Sequence, residues 1–305
     1  MEFLYVLEKL RTPWLNTIMS ALTEFGGETA FLVAALVLFW CVDKRQGYYL
    51  MAVGFLGTLA NQFLKLACRI PRPWVRAPNF TIVESAREGA SGYSFPSGHS
   101  QTSVGTFGSI ALCNRQKWLR GVCIAICVLV PLSRMYLGVH TPADVLVGSG
   151  MALVCGFALR PVVYGRDGKN IPILFAVMIA LGAAFVAYTE LYPFPADIDE
   201  GNLTSAVKNS YTLMGALLGM VIVYFVDEKK LHFPTEGVWY AQLLKVLGGL
   251  ILVLAVKSGL KAPLEALFGG HMVSRAVRFA LVVLAAGIVW PMTFPWFARL
   301  GRKDA

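Results

Sequence analysis

Residues 133–144 read SRMYLGVHTPAD, and they stand between two long apolar runs, one at about 122–137 and one at about 142–163. Runs of that length are membrane-span candidates, so the stretch is a polar junction between two spanning helices. It carries an arginine, a histidine six positions later and an aspartate four beyond that. Ionisable groups beside a bilayer core are costly, and their concentration marks a functional site. His140 can act as a nucleophile when one ring nitrogen is free and the other is held by an acceptor; Asp144 is the nearest acceptor in sequence. Arg134 offers a rigid fork of donors suited to a pair of phosphate or carboxylate oxygens. The same letters also have a plainer meaning. Thr141, Pro142 and Asp144 fit the N-cap, N1 and N3 positions of a helix start, where Asp144 would only complete a capping box.

Composition sets the surroundings of this junction. Of the 305 residues, 56% are hydrophobic and 15% charged, against roughly 45–50% and 25% in soluble domains. Apolar runs recur along the whole chain, so the expected fold is all-α: a polytopic transmembrane helical bundle with no soluble domain left over. Spans are expected at about 25–42, 48–66, 99–113, 122–137, 142–163, 171–189, 206–226, 239–257 and 274–293, which makes nine. Residues 1 to about 20 mix apolar positions with Glu8, Lys9, Arg11, Asn16 and Pro13 and are expected to form an interfacial N-terminal helix. No removable signal peptide is apparent.

The net charge of +9 is distributed singly over short loops, which reads as a topology signal and not as nucleic-acid binding. Lys44 and Arg45, Arg115 and Lys117, Arg160, Arg166 and Lys169, Lys229 and Lys230, and Arg299, Arg302 and Lys303 all fall on one side, which should be cytoplasmic. The junction at 133–144 and a polar stretch at 67–97 then lie on the outer side. Arg69, Arg72, Arg76 and Arg87 break the charge rule there and call for a binding role. Five of the six cysteines, Cys41, Cys113, Cys123, Cys127 and Cys155, sit in or beside apolar runs as small fillers, and Cys68 stands alone near the basic cluster. No metal-ligand spacing links the cysteines and histidines, so neither a metal nor a cofactor is expected.

Three polar clusters share the outer face: 65–73 (KLACRIPRP), 96–99 (PSGH) and 133–144. Together they supply what phosphoryl transfer without a metal needs. Lys65, Arg72 and Arg134 can surround the equatorial oxygens of a transferring phosphoryl group and neutralise its charge. Ser97 and Gly98 precede a helix, so their backbone N–H groups offer an anion cradle. His140 would attack phosphorus, and His99 would protonate the leaving oxygen and then activate water. Other features read as incidental: His232 and His271 lie in ordinary polar connections, and Glu84 with Glu88 reads as a solvated loop pair. Asn61, one turn before Lys65, is placed to hydrogen-bond either the site or a neighbouring helix.

With these residues in place, the chain resembles the type 2 phosphatidic acid phosphatase (PAP2) superfamily. That signature is Lys, six residues, Arg-Pro; then Pro-Ser-Gly-His; then Ser-Arg, five residues, His, three residues, Asp. Lys65, Arg72 and Pro73, then Pro96, Ser97, Gly98 and His99, then Ser133, Arg134, His140 and Asp144 meet it without departure. The resemblance implies a nucleophile at His140, an acid/base at His99, an orienting carboxylate at Asp144, and phosphate contacts from Lys65, Arg72, Ser97, Gly98 and Arg134. It divides the chain into a phosphatase core at 1–165 and additional transmembrane helices of unread role at 166–305, open to three uses: a lipid groove, a homodimer contact or plain packing. The implied activity is a metal-independent membrane phosphatase acting on an amphiphilic lipid phosphate or diphosphate by way of a phosphohistidine. Undecaprenyl diphosphate, phosphatidate, phosphatidylglycerophosphate and sphingoid phosphates are candidate substrates. A bacterial plasma membrane, with the site on the extracytoplasmic side, is the expected setting. The layout is also similar to glucose-6-phosphatase, which acts on a soluble sugar phosphate. A lipid transporter that kept the pocket only for binding would be marked by loss of a histidine, and both are present.

Overall fold

The computed structural model describes residues 1–300. Arg302 and Lys303, counted above among the orienting cations, lie outside the described residues. Among those described, every regular element is a helix. Seven helices are long and apolar enough to cross a membrane, and an eighth candidate is the pair Pro13–Gly26 and Glu28–Val42, bent by 50°. The protein is therefore an all-α, multi-pass membrane bundle.

Two of the nine expected spans are not candidates by themselves: 25–42 belongs to that bent pair, and 99–113 is too short. Helix 98–113 runs as Gly98–Ser103, a π-helical turn Val104–Gly108, and Ser109–Cys113. At 1.5 Å per residue it covers only about 24 Å, short of the ~30 Å hydrocarbon core. Ser100, Gln101, Ser103, Thr106 and Ser109 on it are all buried, so it is a polar helix enclosed by protein. The N-terminus also differs, forming two helices, Glu2–Lys9 and Pro13–Thr23, where one was expected. Pro13 forces the break, because its ring holds Thr12 extended at φ −135°, ψ 153°.

The chain forms two compact units that alternate along the sequence. The first comprises Met1–Ala34, Tyr49–Asp167 and Ala196–Ser205. Within it, helix Lys117–Tyr136 packs against Pro13–Thr23, against 98–113 and against Pro142–Tyr164. Close approach is built into the sequence at Gly148, where a Cβ would stand 2.5 Å from the Ser97 carbonyl oxygen. Arg11 fastens the N-terminal helices, donating to Tyr136 O at 3.0 Å and Thr81 O at 2.8 Å.

The second unit comprises Ala35–Tyr48, Gly168–Pro195 and Ala206–Ala305. Its core is aromatic: Trp40 donates to Ala286 O and Trp290 to Lys245 O, each at 2.9 Å. Helix Glu200–Val226 meets helix Val273–Leu284 so closely that a Cβ on Gly215 would lie 2.0 Å from Ala276 O. Small residues permit this contact, and dispersion then supplies the packing that the hydrophobic effect cannot supply within lipid.

Candidate active site

All the motif residues converge in the first unit, each placed by a helix end. Lys65 sits in the last turn of Lys44–Cys68, and Arg134 in the last turn of Lys117–Tyr136. Ser97 is the N-cap of helix 98–113, and Asp144 is in the first turn of Pro142–Tyr164. His140 lies in the short connection between the spans Lys117–Tyr136 and Pro142–Tyr164.

Asp144 caps its helix and also stands near His140. Its Oδ2 accepts from Thr141 N at 2.7 Å while its own N–H donates to Thr141 Oγ1 at 3.3 Å, a complete capping box. The same Oδ2 accepts from Ser94 Oγ at 2.6 Å and stands 3.5 Å from His140 Nδ1. On its other edge, His140 Nε2 is 2.9 Å from Arg72 Nη1. A guanidinium has no acceptor, so Nε2 carries the lone pair and the neutral ring holds its proton on Nδ1, which lies near Asp144 without a hydrogen bond. Burial, with Arg72, Arg134 and Lys65 nearby, pushes the His140 pKa well below its ordinary value, so the ring is neutral at physiological pH.

Arg72 contacts this imidazole, Lys65 and Arg134 lie near enough to act on its charge, and the acceptors of all three are mostly backbone carbonyls from one loop. Arg72 donates to Gly92 O at 3.0 Å, Ser91 O at 2.7 Å and Val139 O at 3.0 Å. Lys65 donates to Tyr93 O. Arg134 donates to Thr23 Oγ1 at 2.9 Å and reaches Gly89 O at 3.5 Å, while its Nε is buried without a partner. His99 lies beside Gly89, where a Cβ would stand 3.8 Å from both Cε1 and Nε2 of its ring.

Ser97 differs from expectation in detail. Its N–H donates to Asp144 O at 2.9 Å, and its hydroxyl accepts from Ser100 N at 3.3 Å. Ser97 therefore ties two motifs together, and the N–H groups open to an anion at this helix start are those of Gly98 and His99. Asn61 donates to Pro96 O at 3.3 Å and so holds the Pro-Ser-Gly-His turn directly. Glu84 pairs with Arg87 at 2.7 Å in the exposed loop, and Glu88 is exposed beside it. His232 and His271 belong to the second unit. All six cysteines are free thiols. Among the described residues, no group of three His, Cys, Asp or Glu gathers as a metal site.

Sequence reasoning missed Thr23, Ser94 and the carbonyls of residues 89–93. Thr23 carries no local signal beyond the glycine pair Gly26–Gly27 that follows it, and Ser94 reads as one more small loop residue.

Comparison with known proteins agrees with this arrangement. Residues 45–168 match the PAP2 superfamily, and residues 211–303 match the PAP2 superfamily phosphatase transmembrane extension. Phosphatidylglycerophosphatase B of Bacillus subtilis is 30% identical over 165 residues, 50% of this chain and 76% of that protein. Undecaprenyl-diphosphatase BcrC of the same organism is 28% identical over 148 residues, 47% of this chain and 74% of its own length. Sphingosine-1-phosphate phosphatase 1 of Mus musculus is 24% identical over 255 residues, 78% of this chain and 58% of that protein. No solved structure matches. A helical membrane enzyme that cleaves phosphoric esters is the class these findings define. The chain belongs to the PAP2 superfamily.

Proposed function

We propose that the protein hydrolyses the phosphate or diphosphate group of a membrane lipid by way of a phosphohistidine on His140. The observation that carries this reading is a buried imidazole with Nε2 2.9 Å from Arg72 Nη1 and Nδ1 3.5 Å from Asp144 Oδ2, close enough to the buried Lys65 and Arg134 to feel their charges. A bound phosphate takes over donors now directed at carbonyls 89–93, since an anion is a stronger acceptor than a neutral carbonyl. Burial and the charges of Arg134, Arg72 and Lys65 hold the His99 pKa far down, and the anionic phosphate offsets those charges so that His99 takes up a proton. His140 Nε2 then forms the bond to phosphorus as the bond to the leaving oxygen breaks, and His99 gives that oxygen its proton. In the second step His99 takes a proton from water, the resulting hydroxyl attacks phosphorus, and His140 is released. Lys65, Arg72, Arg134 and the N–H groups of Gly98 and His99 neutralise the charge that moves onto the equatorial oxygens. That makes a metal unnecessary, and turnover should persist in EDTA.

An amphiphilic substrate is supported by the relatives, whose names are those of phosphatases acting on lipid phosphates and diphosphates. An acyl or prenyl chain stays in the bilayer during reaction because its removal costs about 0.8 kcal/mol per CH₂. The names of the relatives put phosphatidylglycerophosphate and undecaprenyl diphosphate first in a substrate panel. Residues 1–165 would carry the chemistry and 166–305 the additional spans. The cationic bias of the opposite loops supports a site on the outer face, and the bacterial relatives support a bacterial plasma membrane. A cysteine at the exposed position Glu88, in a background without native cysteines, should then react with an impermeant thiol reagent in intact cells.

The deciding experiment is phosphate release by the purified protein in detergent across lipid phosphates, lipid diphosphates and a sugar phosphate, with rapid-quench trapping of acid-labile phosphoenzyme. Release from the lipids with a trapped intermediate is expected. Release from the sugar phosphate alone would replace the lipid reading, and binding without release would point to a transporter.

A further inference from the structure

We propose that Thr23 is a positioning residue for Arg134, and that the turn at 23–26 forms a wall of the site that none of the three motifs contains. This rests on the phosphatase reading above. Thr23 lies outside the segment matched to the superfamily, residues 45–168. It is 5% exposed and ends helix Pro13–Thr23, and its Oγ1 accepts from Arg134 Nη1 at 2.9 Å across 111 positions of chain. Among the described residues, it is the only side chain that hydrogen-bonds to Arg134.

Which nitrogen it holds matters chemically. A guanidinium receives two oxygens of a phosphate best along the edge formed by Nε and Nη2. With Nη1 pinned by Thr23, that edge is the one left open: Nε is buried without a partner, and Nη2 reaches Gly89 O only at the 3.5 Å limit of hydrogen bonding. Gly89 is also the residue beside the His99 ring, so the open edge lies on the acid/base side of the site. An arginine that is 1% exposed, with an unfilled donor, is set up for an anion and not for packing.

The same turn reaches His99 itself. A Cβ on Gly26 would lie 2.7 Å from the His99 carbonyl oxygen, 3.0 Å from its Cβ and 2.8 Å from Val130 Cγ1. Only glycine fits that contact, so one four-residue turn sets the fork of Arg134 by a hydroxyl and the backbone of His99 by direct packing. Neither contact depends on the membrane-extension segment.

The test compares Thr23→Val, which removes the acceptor at nearly constant volume, with Thr23→Ser, which keeps it. Three quantities are measured in detergent: kcat and KM on whichever lipid phosphate the wild type cleaves, the affinity for orthovanadate by titration, and the melting temperature. Thr23→Val should weaken vanadate and lower kcat/KM by about 10–100-fold, the range for losing a hydrogen bond to a charged group. Thr23→Ser should stay within about threefold of wild type. Normal vanadate affinity in Thr23→Val overturns the inference, as does a Thr23→Ser variant as impaired as Thr23→Val, or a loss that merely follows the unfolded fraction. If the wild type cleaves no lipid phosphate but vanadate still distinguishes the variants, the proposed function falls and the role of Thr23 stands. A wild type that binds no vanadate removes both.

Discussion

Lys245 in the second unit and Arg134 in the first are both buried cations, 0% and 1% exposed, yet they are satisfied in opposite ways. Lys245 Nζ donates to Glu236 O at 3.0 Å, Thr235 O at 3.3 Å and Pro234 O at 3.4 Å, and it lies 4.7 Å from the Phe294 ring centroid. Lys44, in the same unit, grips both oxygens of Asp227 at 2.9 and 2.8 Å. Arg134 has one firm partner and a buried Nε with none. Burial alone therefore does not identify a functional cation. What distinguishes the site is unfilled donor capacity near the proposed nucleophile, since a purely structural cation is disfavoured unless its donors are matched. Arg278, in the second unit, also has a buried Nε without a partner. An unfilled donor is a sign of function only where other chemical groups converge on it.

The comparison can be broken most sharply at the centre of the first unit. His140→Ala should abolish turnover, with a loss on the order of 10⁴-fold or more, and leave no acid-labile phosphoenzyme on any substrate. A trapped intermediate in that variant would assign the nucleophile elsewhere. His99→Ala should cost roughly 10²–10⁴-fold on an alkyl phosphate but much less on an aryl phosphate, whose leaving group needs little protonation. Equal losses on both substrates would contradict an acid role for His99.

Next in size is a paired exchange between the units. Arg134→Met should reduce kcat/KM by roughly 10²–10³-fold with little change in melting temperature, because it removes transition-state stabilisation and an imperfectly satisfied charge together. Lys245→Met should do the reverse, costing about 1–3 kcal/mol of stability through three abandoned carbonyls while the folded enzyme keeps its kcat. Finding that both variants lose activity, or both lose stability, would erase the distinction drawn here.

The smallest expected effect is on pH. His140 has a pKa held well below 6.5 by burial and by the Arg72, Arg134 and Lys65 charges, so the unfolded chain binds its proton first. Its contribution to stability is present above about pH 6.5 and is lost as pH falls below it. The melting-temperature advantage of wild type over His140→Gln should therefore shrink on going from pH 7.5 to pH 5. An advantage that grows on acidification would mean that the folded state favours the charged ring.

Much of the site was readable because its residues recur at fixed spacings beside helix ends. Ser133, Arg134, His140 and Asp144 are close in sequence, and a helix end followed by a capping box brings them together with little help from the rest of the chain. The sequence offered a capping box and an orienting carboxylate as alternatives for Asp144, and only the structure shows one carboxylate both capping the helix and lying 3.5 Å from His140 Nδ1. Nor was Ser97 N–H as a tie to Asp144 O, which depends on how close Gly148 lets two helices approach. Helix 98–113 is short and rich in small residues, and only the structure shows that its hydroxyls are buried against protein.

By itself the sequence determined the helical, membrane-embedded class of this protein and the set of groups that could carry its chemistry. Both follow from local quantities: the transfer free energy of an apolar run, and the spacing of side chains around a helix end. Tertiary structure alone decided which donors stay open. Thr23 meets Arg134 across 111 residues, and Lys245 finds its carbonyls through a returning loop. Such contacts depend on how helices with similar lipid-facing surfaces pack, and in a bilayer that is settled by small residues and long-range hydrogen bonds that no sequence window contains.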